Sequence, residues 1–233
     1  MNLRARAFGA LLLLSSAAFA TEDKITLRWN VRPEERFEHQ IRFVIDAGEN
    51  GTLSATMHFA ERVLLVTDKS IKSSMYVPGV SVTSSGALAA AAPTFEDMKG
   101  LKYERECDLT GKALSVAGMS GLGGSTVDLL LPTTEVGVGD KWESSFNPNP
   151  AVGNVRVTYV LESFDNDTAT VRADLAESDK LSVVKPYRFV VERSSGRYRS
   201  AEGALKMNLS GISLSVSFSH RTILPVKLRS NGA

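Results

Sequence analysis

Ile212-Ser213-Leu214-Ser215-Val216-Ser217-Phe218-Ser219 alternates apolar and hydroxyl side chains without a break. A period of two puts every second residue on one face of an extended chain. The stretch therefore predicts a β-strand with one greasy face and one serine face. The serines read as the solvated side of a sheet, and Ile212, Leu214, Val216 and Phe218 as the side that meets a core.

The same rhythm runs outward from this strand. Tyr187, Phe189 and Val191 lead into a turn at Ser194-Ser195-Gly196, and a further strand begins at Arg197. Val155, Val157, Tyr159 and Leu161 oppose Arg156, Thr158 and Glu162; Asp165-Asn166-Asp167 turns the chain into a partner over 169–175. Near the N-terminus Phe37, His39, Ile41, Phe43 and Ile45 share one parity, with Glu38, Gln40 and Arg42 on the other. A Gly/Asn-rich connection at 47–51 returns the chain through Leu53, Ala55, Met57 and Phe59. Ile25, Leu27, Trp29 and Val31 alternate in the same way and predict one more strand. Strands joined by short turns imply antiparallel meanders rather than βαβ units. The expected class is all-β and mainly antiparallel: a curved sheet or open barrel of about eight or more strands, with one or two short helices.

The middle of the chain breaks the pattern. The alanine run 87–92 starts a short helix, and Pro93 disfavours the α region at Ala92. Ser125-Thr126-Val127-Asp128 has the spacing of a helix N-cap, after which Leu129 to Leu131 run into Pro132. The glycine-rich run 118–124 reads as a connection that could cover a cavity.

The first residues carry an address. Arg4 and Arg6 precede an apolar stretch from Ala10 to Phe19, and Ala18-Phe19-Ala20 has the form of an export cleavage site. The expected product is an exported chain cut after Ala20, periplasmic or extracellular, with residues 21–233 forming a single β-rich domain. The apolar stretch falls short of the ~20 residues a spanning helix needs, and no other long apolar run follows, so no integral membrane span is expected. The chain has 27 basic and 26 acidic residues; loss of Arg4 and Arg6 leaves 25 against 26, a net charge of −1. This balance lacks the basic footprint of a nucleic-acid binder and of a polybasic membrane-surface protein.

Two further motifs punctuate the middle: the turn Asp108-Leu109-Thr110-Gly111, and Gly139-Asp140-Lys141-Trp142, preceded by Leu131-Pro132. With the leader and the amphipathic hairpins, their order resembles a family of exported bacterial β-rich proteins that has no assigned activity. The resemblance therefore implies no catalytic residue. The layout is also similar to the bacterial lipoprotein-carrier fold, an unclosed β-barrel around short helices that shelters acyl chains.

Searching for chemistry narrows the options. Three histidines, His39, His58 and His220, stand apart in sequence without metal-ligand spacing, so no metal and no cofactor is expected. His39 and His220 have apolar-face parity, where a core histidine bonded to a backbone carbonyl is expected; His58 falls on the polar face. Cys107 shares parity with Leu101, Tyr103 and Leu109 and reads as a buried, inert thiol. Ser120 lies outside a nucleophile elbow, and the glycine run lacks the Lys-Ser/Thr of a phosphate loop. No catalytic residue is assigned. The reading is a non-catalytic exported binding or structural protein whose partner is an apolar small molecule or an envelope protein, with Phe37, Ile41, Phe43, Phe189, Leu214 and Phe218 as candidate ligand contacts. Two alternatives stand beside it: a hydrolase built on His39 or His220, and an assembly component acting through an edge strand. A wide unfilled apolar cavity would favour the first reading. A His–carboxylate bond on a polar cleft would favour the hydrolase, and a sealed core with an exposed edge strand the third.

Overall fold

The computed structural model describes residues 23–117, 128–148, 150–209 and 211–223. The expected leader, the glycine-rich run at 118–124 and the N-cap at 125 lie outside the described residues. Among the described residues, eleven antiparallel strands form one curved, unclosed sheet. They are β1 (Arg36–Asp46), β2 (Thr52–Val66), β3 (Ser70–Ser84), β4 (Lys102–Asp108), β5 (Ala113–Ala117), β6 (Lys141–Phe146), β7 (Val155–Phe164), β8 (Thr168–Leu175), β9 (Leu181–Glu192), β10 (Tyr198–Leu209) and β11 (Ile212–Ile223). The order across the sheet is β5-β4-β3-β2-β1-β11-β10-β9-β8-β7-β6. Two meanders are thus zipped together where the first strand meets the last, with Phe43 opposite Phe218 and Ile41 opposite His220. All described helical residues lie in short pieces: 3-10 turns at Gly48–Asn50 and Gly86–Ala91, and helix α1 (Ala92–Glu96).

Alternation in the sequence becomes alternation of burial. In β2, Leu53, Ala55, Met57, Phe59, Glu61 and Val63 are all buried, and in β8 Ala169, Val171, Ala173 and Leu175 are. Prolines mark where the ladder slips. Pro78 lies at the register shift between His58/Gly79 and Ala60/Tyr76, and Pro186 at the shift between Glu202/Arg188 and Ala204/Lys185. A proline has no N–H for the ladder, so a bulge accommodates it, and bulges bend and twist the strand that carries them.

Three expectations are corrected. Ile25 to Val31 is not a strand: apart from a single bridge from Ile25 to Val136, the segment crosses the inner face and packs there by alternate residues. Its backbone is held by Trp29 N–H to the Leu109 carbonyl and Asn30 N–H to the Ser195 carbonyl. Pro93 does not exclude Ala92 from the α region; Ala92 sits at φ −57°, ψ −45° as the first residue of α1. At the first turn a proline's missing N–H costs no hydrogen bond. Leu129 to Leu131 form no helical turn but an irregular segment that buries Leu129 and Leu131, with Leu131 N–H donating to the Thr110 carbonyl.

The inner face is filled unevenly. Strands β7 to β10 carry the main core, which the segments around Ile25 and Leu129 cover. Met98, just after α1, covers Met57, Phe59 and Val77 at the other end. Val31, Phe37, Val63, Ile71 and Cys107 form a third cluster. Cys107 is buried there as expected; burial, the leading cause, raises its thiol pKa to about 11. The two quoted motifs are structural. Asp108 accepts hydrogen bonds from the Thr110 and Lys112 amides in the β4–β5 turn. After the Gly139-Asp140 turn, Trp142 stacks on Tyr159 and donates to the Leu130 carbonyl.

Candidate functional site

Strands β1, β2 and β11 put polar groups on the apolar parity. Glu61 continues the buried row of β2, His39 lies between Phe37 and Ile41 on β1, and His220 follows Phe218 on β11. Arg197, the last residue before β10, reaches across β11 and β1 to meet Glu61. Its two terminal nitrogens donate to the two carboxylate oxygens at 2.5 and 3.0 Å. Glu61 is 8% exposed and Arg197 6%, so both charges have left water. The guanidinium lies 3.8 Å from the Phe37 ring centre and 5.0 Å from that of Trp29. Gly196 makes this approach possible: it has φ +70°, and a Cβ there would lie 2.0 Å from the Arg28 carbonyl oxygen.

The histidines extend the network. His39 Nε2 lies 3.1 Å from Glu61 Oε2, and His220 Nε2 lies 3.2 Å from His39 Nδ1. His39 donates through Nε2–H to the carboxylate, and His39 Nδ1 and His220 Nε2 share one hydrogen bond between them. His220 Nδ1 is buried without a partner among the described residues, as is Arg197 Nε–H. The expected bonds from His39 and His220 to backbone carbonyls are thus replaced by a carboxylate and by each other. His58 stays on the opposite parity, half-buried beside Pro78 and Gly79.

Burial alone would raise the Glu61 carboxyl; the Arg197 charge and the hydrogen bonds from His39 and Arg197 hold it well below its ordinary value of 4.5. Burial, followed by the neighbouring His39, lowers His220 to about 3. The cluster is therefore an ionised Glu–Arg pair with a neutral His220 beside it. Charges removed from water are costly unless paired, and this pair bridges the two meanders.

Next to it opens a cleft of about 140 Å³ lined by Trp29, Tyr103, Arg105, Tyr198, Arg197 and His220, among others. Ile41, Phe189 and Phe218 form its apolar wall. Beyond Phe218 a strip of half-buried side chains continues along the inner face: Phe43 and Ile45 on β1, Val216 and Leu214 on β11, and Met207 on β10. The Phe43 and Phe218 rings meet at 5.4 Å, tilted by 44°, Ile45 is opposite Val216, and Leu214 is opposite Met207.

Of the six candidate contacts, Ile41, Phe189 and Phe218 line the cleft, and Phe43 and Leu214 belong to the strip. Phe37 lies apart, in the third cluster beneath Arg197. Glu61, Arg105 and Arg197 were not singled out from sequence. For Glu61 and Arg105 the signal was present, since each is a charged residue at the parity of buried neighbours: Phe59 and Val63 for one, Tyr103 and Cys107 for the other.

Neither a protein-family model nor a curated protein sequence matches the chain. Among solved structures it is similar to lipovitellin, for which lipid–protein interactions have been described, with a TM-score of 0.50 and 8% identity over 84% of this chain. The chain spans 25% of the lipovitellin chain's length. It is also similar to a LolA superfamily protein from Nitrosomonas europaea, with a TM-score of 0.26 and 11% identity, covering 82% of this chain and 87% of that one. At such identities the likeness to lipovitellin is one of fold. No described helix is long and apolar enough to cross a membrane.

Proposed function

We propose that the inner face of the sheet binds an apolar ligand, and that the chain is an exported, non-catalytic binding domain of the bacterial envelope that shelters an acyl chain. The strip Phe43, Ile45, Val216, Leu214 and Met207 carries this reading, because it is half-buried in the middle of a face whose two ends are covered by core. Each methylene that a ligand lays on such a surface gains about 0.8 kcal/mol. The similarity of fold to lipovitellin is consistent with this role.

Binding of N-phenylnaphthylamine, a dye that brightens in apolar surroundings, tests the reading. Leu214→Asp places a charge in the strip at a half-exposed position, and the expected result is at least a tenfold loss of dye affinity with folding retained. Wild-type affinity in a folded Leu214→Asp protein would remove the strip from the site.

One observation favours a hydrolase as the second reading. Thr222 Oγ1 lies 3.3 Å from His39 Nδ1, and His39 Nε2 lies 3.1 Å from Glu61, in the order nucleophile, base and acid. Against it, the Thr222 hydroxyl donates to the Tyr198 carbonyl at 2.7 Å, and Glu61 is held by Arg197. A saturable p-nitrophenyl ester hydrolysis abolished by His39→Gln would favour the hydrolase; equal rates for the two proteins are expected.

A further inference from the structure

Arg105 lies on β4 at the parity of Tyr103 and Cys107, so its side chain joins the inner face. It is half-buried, and its one hydrogen bond among the described residues is donated to the Gly111 carbonyl at 3.2 Å. No described acid lies within ion-pair distance of it. Asp128, exposed at the rim of the cleft, favours its charge only from a distance. An arginine stays charged at any physiological pH. This guanidinium is therefore a positive charge lining a small cleft with no ion-pair partner among the described residues, whereas the neighbouring Arg197 is paired with Glu61. Both guanidinium groups stack on Trp29, at 5.8 and 5.0 Å from its centre.

A second, independent observation concerns Arg197, which is nine-tenths buried. It lines the same cleft, and its Nε–H is buried with no acceptor among the described residues. Tyr103 and Tyr198 line the cleft too, and neither hydroxyl has a hydrogen-bond partner among the described residues. These groups can all donate to an anion. The cleft is large enough for a headgroup and too small for a long chain, and at Ile41 and Phe218 it runs into the apolar strip.

We propose that this cleft is the headgroup site of the binding face and takes a singly charged carboxylate, as in a long-chain fatty acid. Arg105 is the charge partner, the two tyrosine hydroxyls donate further hydrogen bonds, and the tail leaves along Phe43 and Val216. With Glu61 and Asp128 also lining the cleft, a single arginine without an ion-pair partner suits a monoanion better than a phosphate dianion. This inference rests on the binding-face reading and adds to it the chemical class of the ligand.

Titration of the purified protein with palmitate and with methyl palmitate, followed by calorimetry and by tryptophan fluorescence, separates the two claims. The expected result is palmitate binding at least about tenfold tighter than its methyl ester, since a hydrogen bond to a charged group is worth about that much. Arg105→Gln should remove this preference by weakening palmitate far more than methyl palmitate. Tyr103→Phe should weaken palmitate alone, by a smaller factor, which gives a second readout if Arg105→Gln fails to fold. Equal binding of acid and ester to the wild type would overturn the headgroup site while leaving the apolar face intact. Binding of neither would overturn both.

Discussion

Glu61→Gln isolates the contribution of the buried charge network. The substitution keeps the shape of the side chain, removes its charge, and leaves the Arg197 guanidinium buried between Phe37 and Trp29. Breaking a buried pair by removing one partner typically costs about 3–5 kcal/mol, because the remaining charge is uncompensated. The carboxamide oxygen can still accept from Arg197, so a loss near the lower limit, about 3 kcal/mol, is expected. For a domain of this size each kcal/mol moves the melting temperature by about 2–4 °C, so Tm should fall by about 6–12 °C. Urea unfolding followed by far-ultraviolet circular dichroism and tryptophan fluorescence gives the same quantity from the midpoint. The double variant Glu61→Gln/Arg197→Gln should be less destabilised than the two single losses combined, by at least about 1.5 kcal/mol. A Glu61→Gln protein within about 1 kcal/mol of wild type, or strictly additive single losses, would refute the reasoning.

Further expectations concern acid, packing and the thiol. An unfolded chain protonates His220 near 6.5, whereas the folded chain resists until about 3. Stability should thus be complete above pH 6.5 and decline toward pH 3, by up to about 1.4 kcal/mol per pH unit. Glu61, held below 4.5, adds a loss of the same sign as pH falls through its folded value; His220→Gln should flatten the pH 4.5–6.5 part of the curve in chemical denaturation. Gly203→Ala should cost about 1–3 kcal/mol in the same assay, because a Cβ there would lie 2.5 Å from the Tyr187 ring. Cys107 should react with a thiol reagent only at the rate of unfolding; rapid modification of the native protein would contradict its burial.

The strands were legible because nearly every one keeps a period of two, from Phe37-to-Ile45 through to Ile212-to-Phe218. Their pairing was less so. Hairpin partners follow from short turns, but the seam between β1 and β11 joins residues about 180 positions apart, such as His39 and Thr222, and no local pattern encodes it. Period two also misread Ile25 to Val31, since an extended segment laid on a sheet buries alternate residues as a strand does. The site was half visible. His39 and His220 drew attention by their parity, and Glu61 and Arg105 carried the same signal among more apolar neighbours. Arg197 had none, because it leaves a turn and finds Glu61 only through the curvature of the whole sheet.

The central claim, that the inner face shelters an acyl chain, is tested most directly by native mass spectrometry with lipid extraction on protein purified from its own cells. The account predicts a co-purifying acyl species at near-stoichiometric amounts, released together with a loss of mass on denaturation. A clean apoprotein mass, with no acyl species in the extract, would contradict it.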